Sequence, residues 1–245
     1  RDLSGRIRLD GFTDDYSADE AVFGRNAAAG NVLEEADDDS KWGISNDIRQ
    51  LRITWDAKNL YLAGEGNIWD NNMVLLLDTV AGHGLRAMSS LNSWRRNFTF
   101  DTTEFAAGRA RFMPDLFSGT WDGNTAPRLL IVLDSTTVDD QLPGTLFRAV
   151  ATFLRDQPNR AMELVIPWRT LFLGSAGFGT RDTVMTVGGV RDTFHLFPPG
   201  TRIRVAGVVT AGGDGSGGPD AAPDNTRGMP QDSNAEVVVD NYGEI

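Results

Sequence analysis

The strongest constraint on this chain is an alternation. In DIRQLRITWD (residues 47–56) the apolar Leu51, Ile53 and Trp55 alternate with Arg52 and Thr54. Successive side chains of an extended strand point to opposite faces, so this pattern buries one face and solvates the other. DAKN (56–59) reads as a turn, and LYLAGEG resumes as a second strand, which predicts a hairpin. MVLLLD (73–78) is a short unbroken apolar run, expected of a strand covered on both faces. Strand patterns recur in NFTFD (97–101), RLLIVLD (128–134), LFRAVATFL (146–154), AMELVIP (161–167), IRVAGVV (203–209) and EVVVD (236–240). With the first hairpin they make about nine strands separated by turn residues. Helical patterning is confined to single turns at 18–23, 104–108 and 168–173. The pattern predicts an all-β chain, and strands that hide one face pack naturally as an antiparallel sandwich. Leu51, Ile53, Trp55, Leu75, Leu77, Leu164 and Ile166 are expected to share one inter-sheet core, from their period-2 spacing. No internal repeat or composition break divides the chain, so residues 1–245 read as one domain.

Charge and composition narrow the function. The net charge is −11 and the pI about 4.6, which argues against nucleic-acid binding and against adsorption to anionic lipid. No run reaches the ~18 apolar residues of a membrane span. The chain opens on Arg1 with no signal-peptide pattern, as expected of a mature or trimmed product. Cysteine is absent, so disulfides, zinc–thiolate sites and thiol nucleophiles are excluded. No nucleophile elbow is present, and AGFGTRD (176–182) lacks the strand-to-helix context of a dinucleotide site. No enzymatic activity is expected.

One stretch resists the simple reading. TAGGDGSGGPDAAPDN (210–225) holds too few basic and too many acidic residues to cradle phosphate, and its prolines block the helix such a loop needs. A single GGDGSGGPD is one turn of a calcium-binding β-helix repeat that needs several stacked turns. It is expected to connect two strands.

Aromatic side chains in polar loops are the candidate ligand platforms. Trp69 stands beside Asp70, Asn71 and Asn72, Trp94 beside Arg95 and Arg96, and Trp121 in SGTWDGN. Trp168, like Trp55, sits in an apolar pattern and reads as core. Carboxylates that could supply calcium are densest at Asp10, Asp14 and Asp15, in the run 34–39, and at Asp214, Asp220 and Asp224. Haem needs axial His with His or Met; six methionines are available but only two histidines, His83 and His195, and both read as structural, so no haem is expected.

Several segments in order carry a resemblance. RLDGFTDDYSADE, NDIRQLRITWDAKNLYLAGEG, NNMVLLLDT, MELVIPWRTLF, GGPDAAPDN and VVVDNYGEI together resemble the DOMON-like β-sandwiches related to family 9 carbohydrate-binding modules. The likeness is greatest to the domain at the C-terminal end of glucodextranase-like enzymes. It covers most of the chain, with residues 80–130 matching only loosely. It implies an immunoglobulin-like antiparallel sandwich with long loops, in which PDAAPDN precedes the final strand. It implies a non-catalytic module in the periplasm or outside the cell, with structural calcium. Members bind carbohydrate, bind b-type haem, or serve as accessory domains. Two functions are therefore expected: carbohydrate binding through Trp69, Asn71, Asn72, Trp94 and Trp121, or docking as a structural subunit on a larger membrane-anchored complex, such as an electron-transfer or photosynthetic assembly. The paired cations Arg95 and Arg96 favour partner contact for their segment.

Overall fold

A computed structural model describes residues 2–23, 35–100, 112–121, 126–173 and 179–245. The expected turn at 104–108 lies outside the described residues. The elements in chain order are β1 (Asn46–Trp55), β2 (Asn59–Ile68), β3 (Asn72–Asp78), β4 (Phe98–Phe100), β5 (Leu116–Gly119), β6 (Arg128–Val132), β7 (Val138–Asp139), β8 (Arg148–Ala151) and β9 (Arg160–Pro167). There follow the single-turn helix α1 (Trp168–Leu171), β10 (Arg181–Val187), β11 (Val190–Leu196), β12 (Arg204–Thr210), β13 (Asp220–Ala222), β14 (Val237–Val239) and β15 (Gly243–Glu244). Each expected strand is present. The two remaining expected helical turns appear as α1 and a 3-10 turn at Ala18–Glu20.

The molecule is an all-β sandwich. One sheet runs β1-β2-β9-β8; the other runs β13-β12-β3-β5-β6-β7, with β15 also on β12. All pairs within these two sheets are antiparallel. The turn after Asp56 closes the predicted hairpin: Asp56 Oδ1 accepts the backbone N–H groups of Lys58 and Asn59. Leu51, Ile53, Leu62, Leu164 and Ile166 face Leu75, Leu77, Leu116, Ile131 and Val205 in the inter-sheet core. Two glycines let the sheets approach. A Cβ on Gly64 of β2 would lie 2.4 Å from Met73 Sδ, and one on Gly207 of β12 would lie 3.0 Å from Leu51 Cδ2.

Trp55 departs from the expected core and is 49% exposed. It has the right facing but stands at the last residue of β1. There the inter-sheet core ends and a cleft of about 640 Å³ opens between Trp55, Val205, Glu244 and Ile245.

The continuous apolar pattern of β3 has its expected cause. Its second face, with Val74 and Leu76, is covered by Trp94, Phe98, Phe112 and Tyr242 from loop segments and from β4, which pairs in parallel with β14. The outer face of the β1-β2-β9-β8 sheet is covered by Leu3, Ile7 and Tyr16 of the N-terminal stretch. No helix among the described residues is long and apolar enough to cross a membrane.

Within 210–225, residues 211–219 connect two strands as expected, but Asp220–Ala222 are themselves β13, and backbone hydrogen bonds hold the connection. Gly215 N donates to Arg95 O, Asn97 N to Ser216 O, and Gly217 N to Ser233 O.

Candidate functional site

Three places in the fold gather side chains with chemistry to offer. The first is acidic. Asp47, at the start of β1, is buried and its two oxygens accept the backbone N–H groups of Asp38 and Ser40, which fixes the turn that carries Asp39. Asp220 opens β13 next to it, accepting from Ile48 N at 2.6 Å and Ala221 N at 2.9 Å. Asp224 accepts from Ala36 N at 3.2 Å, and Lys41 N donates to Pro219 O. These bonds bring residues 35–41 against residues 219–224. Glu35, Asp39 and Asp220 then each place one carboxylate oxygen within 4.8 Å of the others.

Glu35 is 7% exposed; an ionised carboxylate there would meet no donor, whereas the neutral acid shares a hydrogen bond with Asp224. Burial, then the charges of Asp220, Asp224 and Asp39, push its pKa up to about 12. Burial likewise raises Asp220 to about 8, against the pull of the Ile48 N–H. This is the one group of three such ligands converging among the described residues. Of the six aspartates singled out from sequence, Asp220 and Asp224 come here. Asp214 instead faces Arg96, at 3.2 Å. Asp10 and Asp15 are engaged at the N-terminal corner by the backbone N–H groups of Phe12 and Arg8, and Asp14 is exposed. Glu35 and Asp39 lay within the acidic run 34–39, but nothing local in the sequence distinguishes them from Asp37 and Asp38; Glu34 lies outside the described residues.

The second place holds the loop aromatics. Trp94 is only 6% exposed, with a left-handed backbone (φ 58°) that turns its ring inward onto Phe117 and Trp121. Arg96 is 1% exposed and lies over the Trp121 ring at 4.5 Å. Arg95 beside it is exposed. Asn72 is buried in β3, while Asn71 pairs with the Asn46 amide. Trp69 is exposed, with Arg155 at 5.7 Å from its ring. The predicted platform residues therefore fall into two separate groups: Trp94, Arg96 and Trp121 form one interior stack, and Trp69 stands apart beside Arg155. The cleft of about 640 Å³ has Trp55 and Phe23 as its aromatic lining, with Asp19, Glu20, Asp56 and Glu244 around them.

The third place was missed from sequence. β10 and β11 form a two-stranded hairpin belonging to neither main sheet. Gly188 and Gly189, both at positive φ, make its two-residue turn. TVGGV between two β-branched runs was the available signal, and it is a standard hairpin pattern. The root is anchored: Lys58 Nζ pairs with Asp192 at 2.7 Å and lies over Phe194, while Phe172 stacks on His195. Toward the tip, Met185 stands opposite Asp192 and Val187 opposite Val190. These residues share the face of buried Phe194. That apolar face continues outward into solvent, where Val190 is 63% exposed.

The fold and sites define an all-β sandwich with a buried carboxylate cluster and a projecting apolar hairpin. No model of a known protein family matches the sequence, and no curated protein matches it significantly.

Proposed function

We propose that this chain is a non-catalytic, extracytoplasmic interaction module that docks as an accessory subunit on a larger protein complex, with the β10–β11 hairpin as its docking element. The apolar face of that hairpin supports the reading. A two-stranded ribbon alone is marginally stable in water. This one carries Met185, Val187 and Val190 in the open, with Arg191 at its tip and both strand edges unpaired in the described structure. Exposed apolar surface with a polar rim is what protein contacts use, and a free strand edge can extend a partner's sheet. The interior positions of Trp94 and Arg96 leave Arg95 as the exposed cation of its segment, so that segment offers a partner less than the hairpin does.

The test is recovery of the partner from native membranes with tagged wild type and with Val187→Asp/Val190→Asp. Both side chains lie in solvent, so the melting temperature should hold while the partner is lost. Equal recovery by the double variant would sink the docking reading.

A second reading, carbohydrate binding, is favoured by one observation: the exposed indole of Trp55 on the wall of the 640 Å³ cleft, with carboxylates beside it. A sugar ring stacks on such an indole and bonds its hydroxyls to acidic side chains. A glycan array with wild type and Trp55→Ala decides this. Binding that is lost in the variant supports a sugar module, and no glycan bound by wild type removes it.

A further inference from the structure

We propose that the free edge of β10, at Asp182, Val184 and Thr186, takes an extended, uncharged segment of the partner complex as a third strand of the ribbon. The inference rests on the docking reading and names the edge used and the kind of segment that meets it.

The two edges of the hairpin differ. Bonded and unbonded residue pairs alternate along an antiparallel ladder, and the pair flanking a two-residue turn is bonded. The turn at Gly188 and Gly189 therefore makes Val187–Val190 a bonded pair, and with it Met185–Asp192 and Thr183–Phe194. The residues between them turn their backbone N–H and C=O groups outward: Asp182, Val184 and Thr186 on β10, and Arg191, Thr193 and His195 on β11. On β11 the middle of that row is occupied. Thr193 N donates to Asp192 Oδ1 at 2.7 Å, and Thr193 O accepts from Lys58 Nζ. Among the described residues, no hydrogen bond from outside the hairpin reaches the backbone of Asp182, Val184 or Thr186.

The free edge is also unguarded. Proteins protect exposed strand edges with lysine, proline or a bulge. Lys58 serves β11 in this way. The register of β10 runs without a shift from Arg181 to Val187, and Asp182–Val187 contains neither lysine nor proline. Val184 is 56% exposed and lies on the other face of the ribbon from Met185 and Val187, so both faces beside this edge are apolar. A β-branched or aromatic side chain on an added strand packs against them, whereas a charged one loses water there and meets no partner. The chain's charge of −11 repels an acidic segment as well. The outward groups run from Asp182 to Thr186, so a segment of about five residues satisfies them.

The experiment compares amide hydrogen exchange in the purified protein and in the complex recovered from native membranes, by mass spectrometry with residue-level fragmentation. In the complex, the amides of Asp182, Val184 and Thr186 should slow at least about tenfold, while those of Arg191 and Thr193 keep their rates. Val184→Pro removes an outward N–H that no bond within the hairpin uses, and an edge strand tolerates proline. It should cut partner recovery by at least about tenfold. Thr193→Pro, the matching change on the closed edge, should recover the partner as wild type does. The exchange measurement uses wild type, so it decides even if Val184→Pro unfolds the ribbon. Unchanged exchange at Asp182, Val184 and Thr186, equal slowing on both edges, or full recovery by Val184→Pro would each overturn the proposal and leave docking through the apolar face standing. Slow exchange of these amides in purified protein that sediments as a dimer would give the edge to a second copy and overturn the proposal too. Equal recovery by Val187→Asp/Val190→Asp sinks the docking reading and this inference with it.

Discussion

Glu163, in the middle of β9, shows how one side chain sets a pH response. Its Oε2 accepts the N–H groups of Asp10 and Gly11, at 2.9 and 2.6 Å, and pins the N-terminal stretch to the outer face of the sheet. It is fully buried, and burial raises its pKa from 4.5 to about 8, those two hydrogen bonds opposing. Between these values the folded chain keeps a proton that the unfolded chain has lost. Its stability contribution is therefore full below 4.5 and falls away as pH rises through about 8. Glu163→Gln keeps an acceptor for both N–H groups and cannot ionise. Its urea midpoint should exceed wild type at about pH 8.5, and its change between about pH 5.5 and 8.5 should be smaller. An unchanged pH slope would rule out this role for Glu163. Arg204 makes the complementary case. It is buried, with Asp78 at 3.2 Å and Glu244 at 3.0 Å. Even beside Arg204, burial holds Asp78 at about 7. Arg204→Met should cost about 3–5 kcal/mol at alkaline pH, where it strands a carboxylate, and less at pH 6, where Asp78 takes a proton. Chemical denaturation at both pH values checks this.

Among the elements, β1 separates what a strand pattern can tell from what it cannot. Its alternation places Leu51 and Ile53 in the core, as the sequence implies. The same alternation places Trp55 on that face too, yet there a cleft rather than packed side chains separates it from Val205, Glu244 and Ile245. Trp55→Ala should accordingly shift stability by no more than about 0.5 kcal/mol. Leu164→Ala, at a fully buried β9 position, should cost about 2–5 kcal/mol. Thermal melts of the pair distinguish an end-of-strand indole from a core one. The β10–β11 hairpin is the reverse case. Its Gly-Gly turn was legible, but Arg181, Asp182, Arg191 and Asp192 break the apolar alternation that marks a strand with a buried face. No face of its outer half is buried within the chain, so the usual signal was missing.

At the scale of the whole molecule, acidic groups dominate the response to pH. Glu163 and Asp78 both titrate above their ordinary range, and the net charge of −11 adds repulsion as carboxylates ionise. Groups with lowered values, such as Asp37 beside Arg49, lie below the ordinary carboxylate range and matter only in stronger acid. The stability of EDTA-treated protein should therefore be higher at about pH 5.5 than at about pH 8.5, by urea denaturation. The opposite order would show that the buried carboxylates are already ionised in the fold. The sequence alone determined the class. Period-2 alternation, short strands and abundant turn residues leave no other economical way to bury 40% hydrophobic residues, and the expected all-β sandwich is what forms. The sequence also marked Asp220 and Asp224 as oxygen donors and 210–225 as a strand connection. Only the tertiary structure decided the partners. Asp220 and Asp224 meet Glu35 and Asp39 across more than 180 residues, while Asp214, in the same loop, meets Arg96. Trp94 turns inward and Trp55, on the core-facing side of its strand, stays half-exposed for the same reason. Local pattern fixes the side of a strand on which a residue points, but burial depends on what the other sheet and the loops bring to that place.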